Sequence, residues 1–284
     1  MDRNDGEDRG TGRRRVLGVA GWSLALPVLG GVRVATERAA ADAAGDGIPV
    51  RKQRSTTLHR RLESTFGDAF EGLEPGRPDL LLDVRYVEGT AVSEVTKVRI
   101  VELFRRNGIY AQWLDHPRTY DRAWVRERYG WSTKALLWDR EGLYRETVEP
   151  WLWDVALQLF VVPGVAGRWS EGRIYSPTMD ALGAGIGGYV NGFSVGNRAV
   201  VAERRYPDDE ARLCLHEIVH YALCHDDDPG NAGVMGTAEV LDVTAGEWER
   251  LRTGLGNVRD TTGYDILLRP CLWEECLQGL AGRG

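Results

Sequence analysis

The sequence predicts an α+β fold. Three observations carry that expectation: a strand–helix–strand unit across residues 80–114, two further short apolar runs at 156–162 and 198–202, and a helical segment opening at Asp208. The chain has 284 residues, 43% hydrophobic and 27% charged, which suits one ordinary globular domain with a sizeable core. Its net charge of −6 argues against a general nucleic-acid binder, which would carry a basic stripe. Histidine and cysteine are scarce and clustered. Of five histidines, His216, His220 and His225 fall within ten residues, and all four cysteines lie at or after Cys214.

In chain order, Arg13, Arg14 and Arg15 precede an apolar run from Val16 to Val32, and Ala41-Asp42-Ala43 fits a small-x-small cleavage site. This amino terminus resembles a twin-arginine export signal, which implies a secreted or cell-surface protein. An uncleaved anchor is the alternative, although a run this short is marginal for a span of about 30 Å. No other stretch is apolar enough to cross a bilayer. Residues 1–43 are thus assigned to the signal or anchor. Residues 44–78, rich in Arg, Ser, Gly and Pro, are assigned to a linker or amino-terminal extension with one short helix near 57–66.

The domain proper is expected over 79–256. Leu80–Val87 is short, apolar and β-branched, hence a strand. Val95, Val98, Val101, Leu103 and Phe104 recur at helical spacing, and Asn107-Gly108 ends that helix. Ile109–Leu114 is a second strand, parallel to the first through a right-handed crossover. Residues 115–150, charged and rich in Trp, lack periodicity and are expected as an insertion over the domain. Ala156–Val162 is a third strand. The glycine-rich Gly183–Gly196 and the run Arg198–Ala202 form a loop and strand pair, with turns at Asn191-Gly192 and Gly196-Asn197.

Asp208, Asp209 and Glu210 suit the first turn of a helix running to about residue 224. On it, His216 and His220 are four residues apart and share one face, so both reach one ion. Leu215, Ile218, Val219 and Ala222 form an apolar back, and Glu217 stands about 100° from His216, beside the ligands. This is the His-Glu-x-x-His pattern. Zinc takes imidazole nitrogens in a tetrahedral site, and a catalytic site leaves one position for water. The ion lowers the pKa of that water towards 7, and an adjacent Glu takes its proton.

From His216 to Met235 the chain resembles the metzincin clan of zinc peptidases. The match lies in His216, Glu217, His220 and the pair Val234-Met235 that would form the methionine turn. The resemblance implies a zincin/metzincin-like fold: a twisted mixed sheet of about four to five strands, an active-site helix and a carboxyl-terminal helix. It also implies zinc as cofactor, Glu217 as catalytic base, and a protein or peptide as substrate. The sequence departs from the pattern where Leu223 replaces the clan's glycine and Asp226 its third histidine, His225 lying one residue early. The third ligand is therefore His225 or Asp226. His225 is favoured, because neutral imidazole suits zinc. Glu239, 19 residues after His220, is the gluzincin-like rival. Thr244 and Glu247 form a capping box for the helix after the methionine turn.

Outside the cytoplasm, Cys214 and Cys224 would each pair with Cys271 or Cys276, tying the tail at 257–284 to the helix ends. Two other functions share the motif: a binding or structural protein with a four-ligand zinc site, and a zinc amidase of a non-protein substrate. The strand at Arg198–Ala202, or its partner near Tyr189–Val195, is the candidate edge strand beside substrate.

Overall fold

The computed structural model describes residues 44–153, 155–166, 172–181, 188–220, 232–236 and 240–254. The expected signal, the cleavage site, and Cys224, His225, Asp226, Glu239, Cys271 and Cys276 lie outside them. Among the described residues, no helix is long and apolar enough to cross a membrane.

Residues 44–78 are built into the fold. Val50–Gln53 (α1) and Thr56–Phe66 (α2) are helical, and the Ser55 hydroxyl caps α2 by accepting from the Leu58 amide. Leu58, Leu62 and Phe66, spaced by four, bury one face of α2. Phe70 and Leu73 join the same core.

The strand–helix–strand unit forms as expected. Asp79–Val87 (β1) pairs in parallel with Tyr110–Tyr120 (β2), and Glu94–Arg106 (α3) connects them. Ser93 caps α3, and Gly108, at φ +81, takes the left-handed turn that ends it. The buried stripe of α3 differs from the expected one. Thr96, Ile100 and Phe104 face inward, while Val95 and Val98 are half exposed. An i, i+4 stripe packs flat on the sheet, and the one polar member is satisfied by donating from its hydroxyl to the Pro207 carbonyl at 3.2 Å.

Residues 115–150, expected as an insertion, complete β2 and then, with residues 151–153, supply a helical layer. Arg122–Tyr129 (α4), a π turn at Lys134–Trp138, Leu143–Thr147 (α5) and Pro150–Trp153 (α6) bury Val125, Leu136, Leu137, Leu143 and Leu152 against the sheet. The Trp124, Trp131 and Trp138 rings pack onto that core.

Ala156–Val162 (β3) pairs in parallel with β1. Val165–Ala166 (β4), Gly172–Tyr175 (β5) and Tyr189–Val190 (β6) make a small antiparallel sheet, with the helix Pro177–Ala181 (α7) between the last two. At Asn191-Gly192, expected as a turn, the chain passes from this sheet into the main one. Gly192–Val195 (β7) and Arg198–Ala202 (β8) form a hairpin about Gly196-Asn197. The main sheet therefore has five strands in the order β2-β1-β3-β8-β7, parallel except for the antiparallel edge strand β7. The fold is the mixed α/β architecture that the sequence implied.

Alternation along the strands divides the core in two. Leu81, Phe160 and Val200 face the helices of 44–78 and 122–153. Leu80, Leu82, Leu159 and Val201 face α3 and two later helices, Pro207–Val219 (α8) and Ala245–Gly254 (α9). Burial on both faces is what parallel strands with near-continuous apolar runs require.

Candidate metal centre

Helix α8 carries the motif. Pro207 stands in its first turn, where a missing N–H costs nothing, followed by Asp208, Asp209 and Glu210 at the positive end of the helix dipole. Ala211, Cys214, Leu215, Ile218 and Val219 are buried, so one side of α8 is fixed in the core of the second face. The described helix ends at Val219. His220 is its C-cap and keeps right-handed helical angles (φ −54, ψ −25), so the i, i+4 relation with His216 is preserved. The expected continuation to residue 224 lies outside the described residues.

The two imidazoles meet. Their ring centroids are 4.6 Å apart with perpendicular planes, and the two Nε2 atoms are 3.1 Å apart. His216 Nδ1 lies 3.0 Å from the Val234 carbonyl oxygen. A carbonyl only accepts, so Nδ1 carries the proton and the Nε2 lone pair of neutral His216 points towards His220. This backbone anchor is the kind of outer contact that orients metal-binding histidines.

The donor set fits zinc. Two nitrogens on one tetrahedral zinc, each at about 2.0–2.1 Å, lie about 3.3–3.4 Å apart, close to the observed separation. Among the described residues, no group of three or more His, Cys, Asp or Glu side chains is gathered to hold an ion. The three residues weighed as third ligand, His225, Asp226 and Glu239, lie outside the described residues.

Val234 and Met235 are buried beneath α8 in the same core cluster as Leu215 and Ile218. Their turn is held by the Gly236 amide donating to Gly233 O at 3.0 Å and the Val234 amide donating to Asp242 O at 2.7 Å. The turn thus presents a backbone oxygen to His216 and an apolar floor to the helix. Thr244 and Glu247 form the expected box. Thr244 N and Oγ1 donate to Glu247 Oε2 at 2.8 and 2.6 Å, and Glu247 N donates back to Thr244 Oγ1 at 3.3 Å. Helix α9 then closes the face, with Trp248 edge-on to Phe104 at 5.3 Å.

Glu217 is buried between α8 and the edge strand. Its Oε2 lies 2.5 Å from Ser194 Oγ of β7, which is also 2.9 Å from the Glu217 carbonyl oxygen. Its Oε1 approaches Gly192 so closely that a β-carbon there would stand 2.5 Å away. Sequence reasoning found Glu217 but missed Ser194 and Gly192. Their only sequence signal is membership of a glycine-rich hairpin that precedes the motif.

Cys214 is a free, buried thiol, so its expected disulfide to the tail is not formed. It faces the apolar core beside Leu215 and Ile218, and the expected partners Cys271 and Cys276 lie outside the described residues. Burial, with Glu210 and Glu217 nearby, pushes the thiol well above its ordinary range and keeps it from acting as a thiolate ligand. A shallow cleft lined by Thr57, Arg60, Arg61 and Trp151 lies at α2 and holds none of the site residues.

No protein-family model and no curated protein matches the chain. Among solved structures it is similar to the archaemetzincin of Methanopyrus kandleri, at 16% sequence identity and a TM-score of 0.41, over 63% of this chain and 97% of that one.

Proposed function

We propose that this chain is an exported zinc-dependent endopeptidase in which His216 and His220 hold the metal and Glu217 is the general base. The observation that carries the reading is the perpendicular His216–His220 pair, its Nε2 atoms 3.1 Å apart and one ring anchored through Nδ1 to Val234 O. His225 completes the ligand set, with Asp226 as the alternative. When bound, zinc supplies a Lewis acid that acidifies water and polarises a carbonyl.

The chain's own residues supply the rest. Glu217 takes a proton from the attacking water at Oε1, the oxygen that Ser194 does not hold, and returns it to the leaving amine. Leu215, Ile218 and Val219 exclude water from behind the site and so strengthen the electrostatics in front of it. The substrate is an extended polypeptide, consistent with a site bordered by the edge strand β7. The amino-terminal segment 1–43 directs export by the twin-arginine route.

The experiment is hydrolysis of casein by the zinc-loaded protein and by Glu217→Ala. The expected result is one zinc per chain in both, with hydrolysis lost by at least about 10³-fold in the variant, since the base and its charge are both removed. Undiminished hydrolysis by Glu217→Ala sinks the reading.

A further inference from the structure

We infer that Gly192 and Ser194 of the edge strand form a cradle that positions the Glu217 carboxylate, so that the rim of the sheet sets the rotamer of the base. The inference rests on the reading of Glu217 as general base given above.

Two contacts from one strand, on the two carboxylate oxygens, define the cradle. Ser194 Oγ is within hydrogen-bond distance of both Glu217 Oε2, at 2.5 Å, and Glu217 O, at 2.9 Å. A hydroxyl has one proton, and it goes to the charged oxygen, the stronger and closer acceptor. Beside the other oxygen there is no room for a side chain at residue 192. A β-carbon at residue 192 would lie 2.5 Å from Oε1 and 2.8 Å from both Cδ and Cγ. Glycine at 192 is thus required by close approach rather than by backbone angles. Because residues 192 and 194 are two apart in a strand, they present the same face to α8. Ser194 draws the carboxylate in, and Gly192 leaves the space it occupies.

The strand itself is held in place. Phe193 and Ser194 of β7 register against Val200 and Ala199 of β8, which is buried throughout. A carboxylate on a three-bond side chain would otherwise sample several rotamers. Fixing it to a sheet edge is how a site on rigid elements reaches catalytic precision. Ser194 is accordingly a positioning residue: it acts on the proton-transfer group and touches no substrate.

The test compares Ser194→Thr with Ser194→Val, which have the same shape and differ by the hydroxyl, together with Gly192→Ala. In the zinc-loaded protein, Ser194→Val and Gly192→Ala are expected to lower kcat by on the order of 10²-fold, the cost of misplacing a catalytic group by about an ångström. KM and zinc stoichiometry stay as in the parent, and Ser194→Thr restores kcat. A second readout needs neither metal nor activity. In the metal-free protein, Ser194→Val should lower the unfolding midpoint by about 2–4 °C relative to Ser194→Thr. The same exchange made in a Glu217→Ala background should cost clearly less, because only the carbonyl oxygen of residue 217 is left to accept.

Equal kcat for Thr and Val at residue 194, or equal midpoint losses in both backgrounds, overturns the cradle. Hydrolysis surviving in Glu217→Ala overturns the proposed function instead, and the metal-free cycle still decides whether Ser194 holds Glu217.

Discussion

The two faces of the central sheet bury very different chemistry. On the face covered by α3, α8 and α9, strand β1 places Leu80, Leu82 and Val84. On the opposite face the same strand places Asp83 and Arg85, both fully buried. Arg85 donates to Asp83 Oδ2 at 2.9 Å, to Tyr120 Oη and Thr147 O at 2.7 and 2.9 Å, and to Glu149 Oε2 at 2.7 Å. His116 lies beside this network, 3.8 Å from Glu149. Among the described residues, a buried network of ionisable groups thus lies on the face without the metal-binding motif. A titratable cluster is therefore not by itself a site: here it ties β1, β2 and the helical layer together, while the candidate centre sits at the end of a helix with one apolar side.

The largest effects should separate the faces. Arg85→Met leaves Asp83 buried without its cation, and breaking a buried pair of this kind costs about 3–5 kcal/mol. The expected outcome is a large fall in the denaturant midpoint, with zinc content and hydrolysis unchanged in the fraction that stays folded. His220→Ala should do the converse: zinc content collapses, while the midpoint of the metal-free protein changes little, since His220 caps a helix whose core contacts are Leu215, Ile218 and Val219. Loss of zinc binding in well-folded Arg85→Met would show that the faces are coupled and break the comparison.

A pH series sharpens it. Burial, aided by Arg85, lowers His116 to about 4, and burial, against the pull of Arg85, raises Asp83 to about 6. The neutral His116 contributes stability that is complete above about 6.5 and is lost as pH falls towards 4. Asp83 contributes the reverse: its stability is complete below about 3.9 and is lost as pH rises through 6. Between pH 4 and 6 the two slopes oppose. His116→Phe should therefore lose stability as pH rises across that window, and Asp83→Asn should lose it as pH falls. Thermal midpoints at pH 4, 5 and 6 check both signs, and equal slopes in the two variants would dissociate them from this network.

The difference between the faces also explains what the sequence disclosed. β3 and β8 are apolar apart from Gln158 and Arg198 and have the expected bounds, because a strand buried on both sides gives a near-continuous apolar run. His216, Glu217 and His220 were legible because helical spacing alone places them. Asp83 and Arg85 sit inside a strand run and pair with each other, but the further partners of Arg85, which come from residues 120–149, show nothing in sequence. Residues 44–78 and 115–153 were obscure for a related reason. Their short helices bury isolated apolar residues against a sheet they do not adjoin in sequence, so no long periodic stretch announces them. Gly192 and Ser194 acquire meaning only where β7 meets α8, a contact no local pattern encodes. The tail disulfide was inferred from cysteine number and compartment, neither of which locates a side chain, and Cys214 is a free thiol in the core beneath α8.

The smallest effect concerns how the site face is closed. Thr244 starts α9, and its hydroxyl both donates to Glu247 Oε2 and accepts from the Glu247 amide. Thr244→Ala removes both contacts but leaves the backbone amide of residue 244 able to donate to the same carboxylate, so the loss should be that of a single cap, about 1 kcal/mol. For a domain of this size that is about 2–4 °C in the unfolding midpoint. Trp248 and Leu251 remain buried against Phe104 and the sheet, so α9 should stay docked and zinc content should be unchanged. If zinc affinity falls along with the midpoint, α9 is part of the metal support rather than its cover: the capped helix would then be fixing the 233–236 turn, through Asp242, and with it the Val234 carbonyl that orients His216.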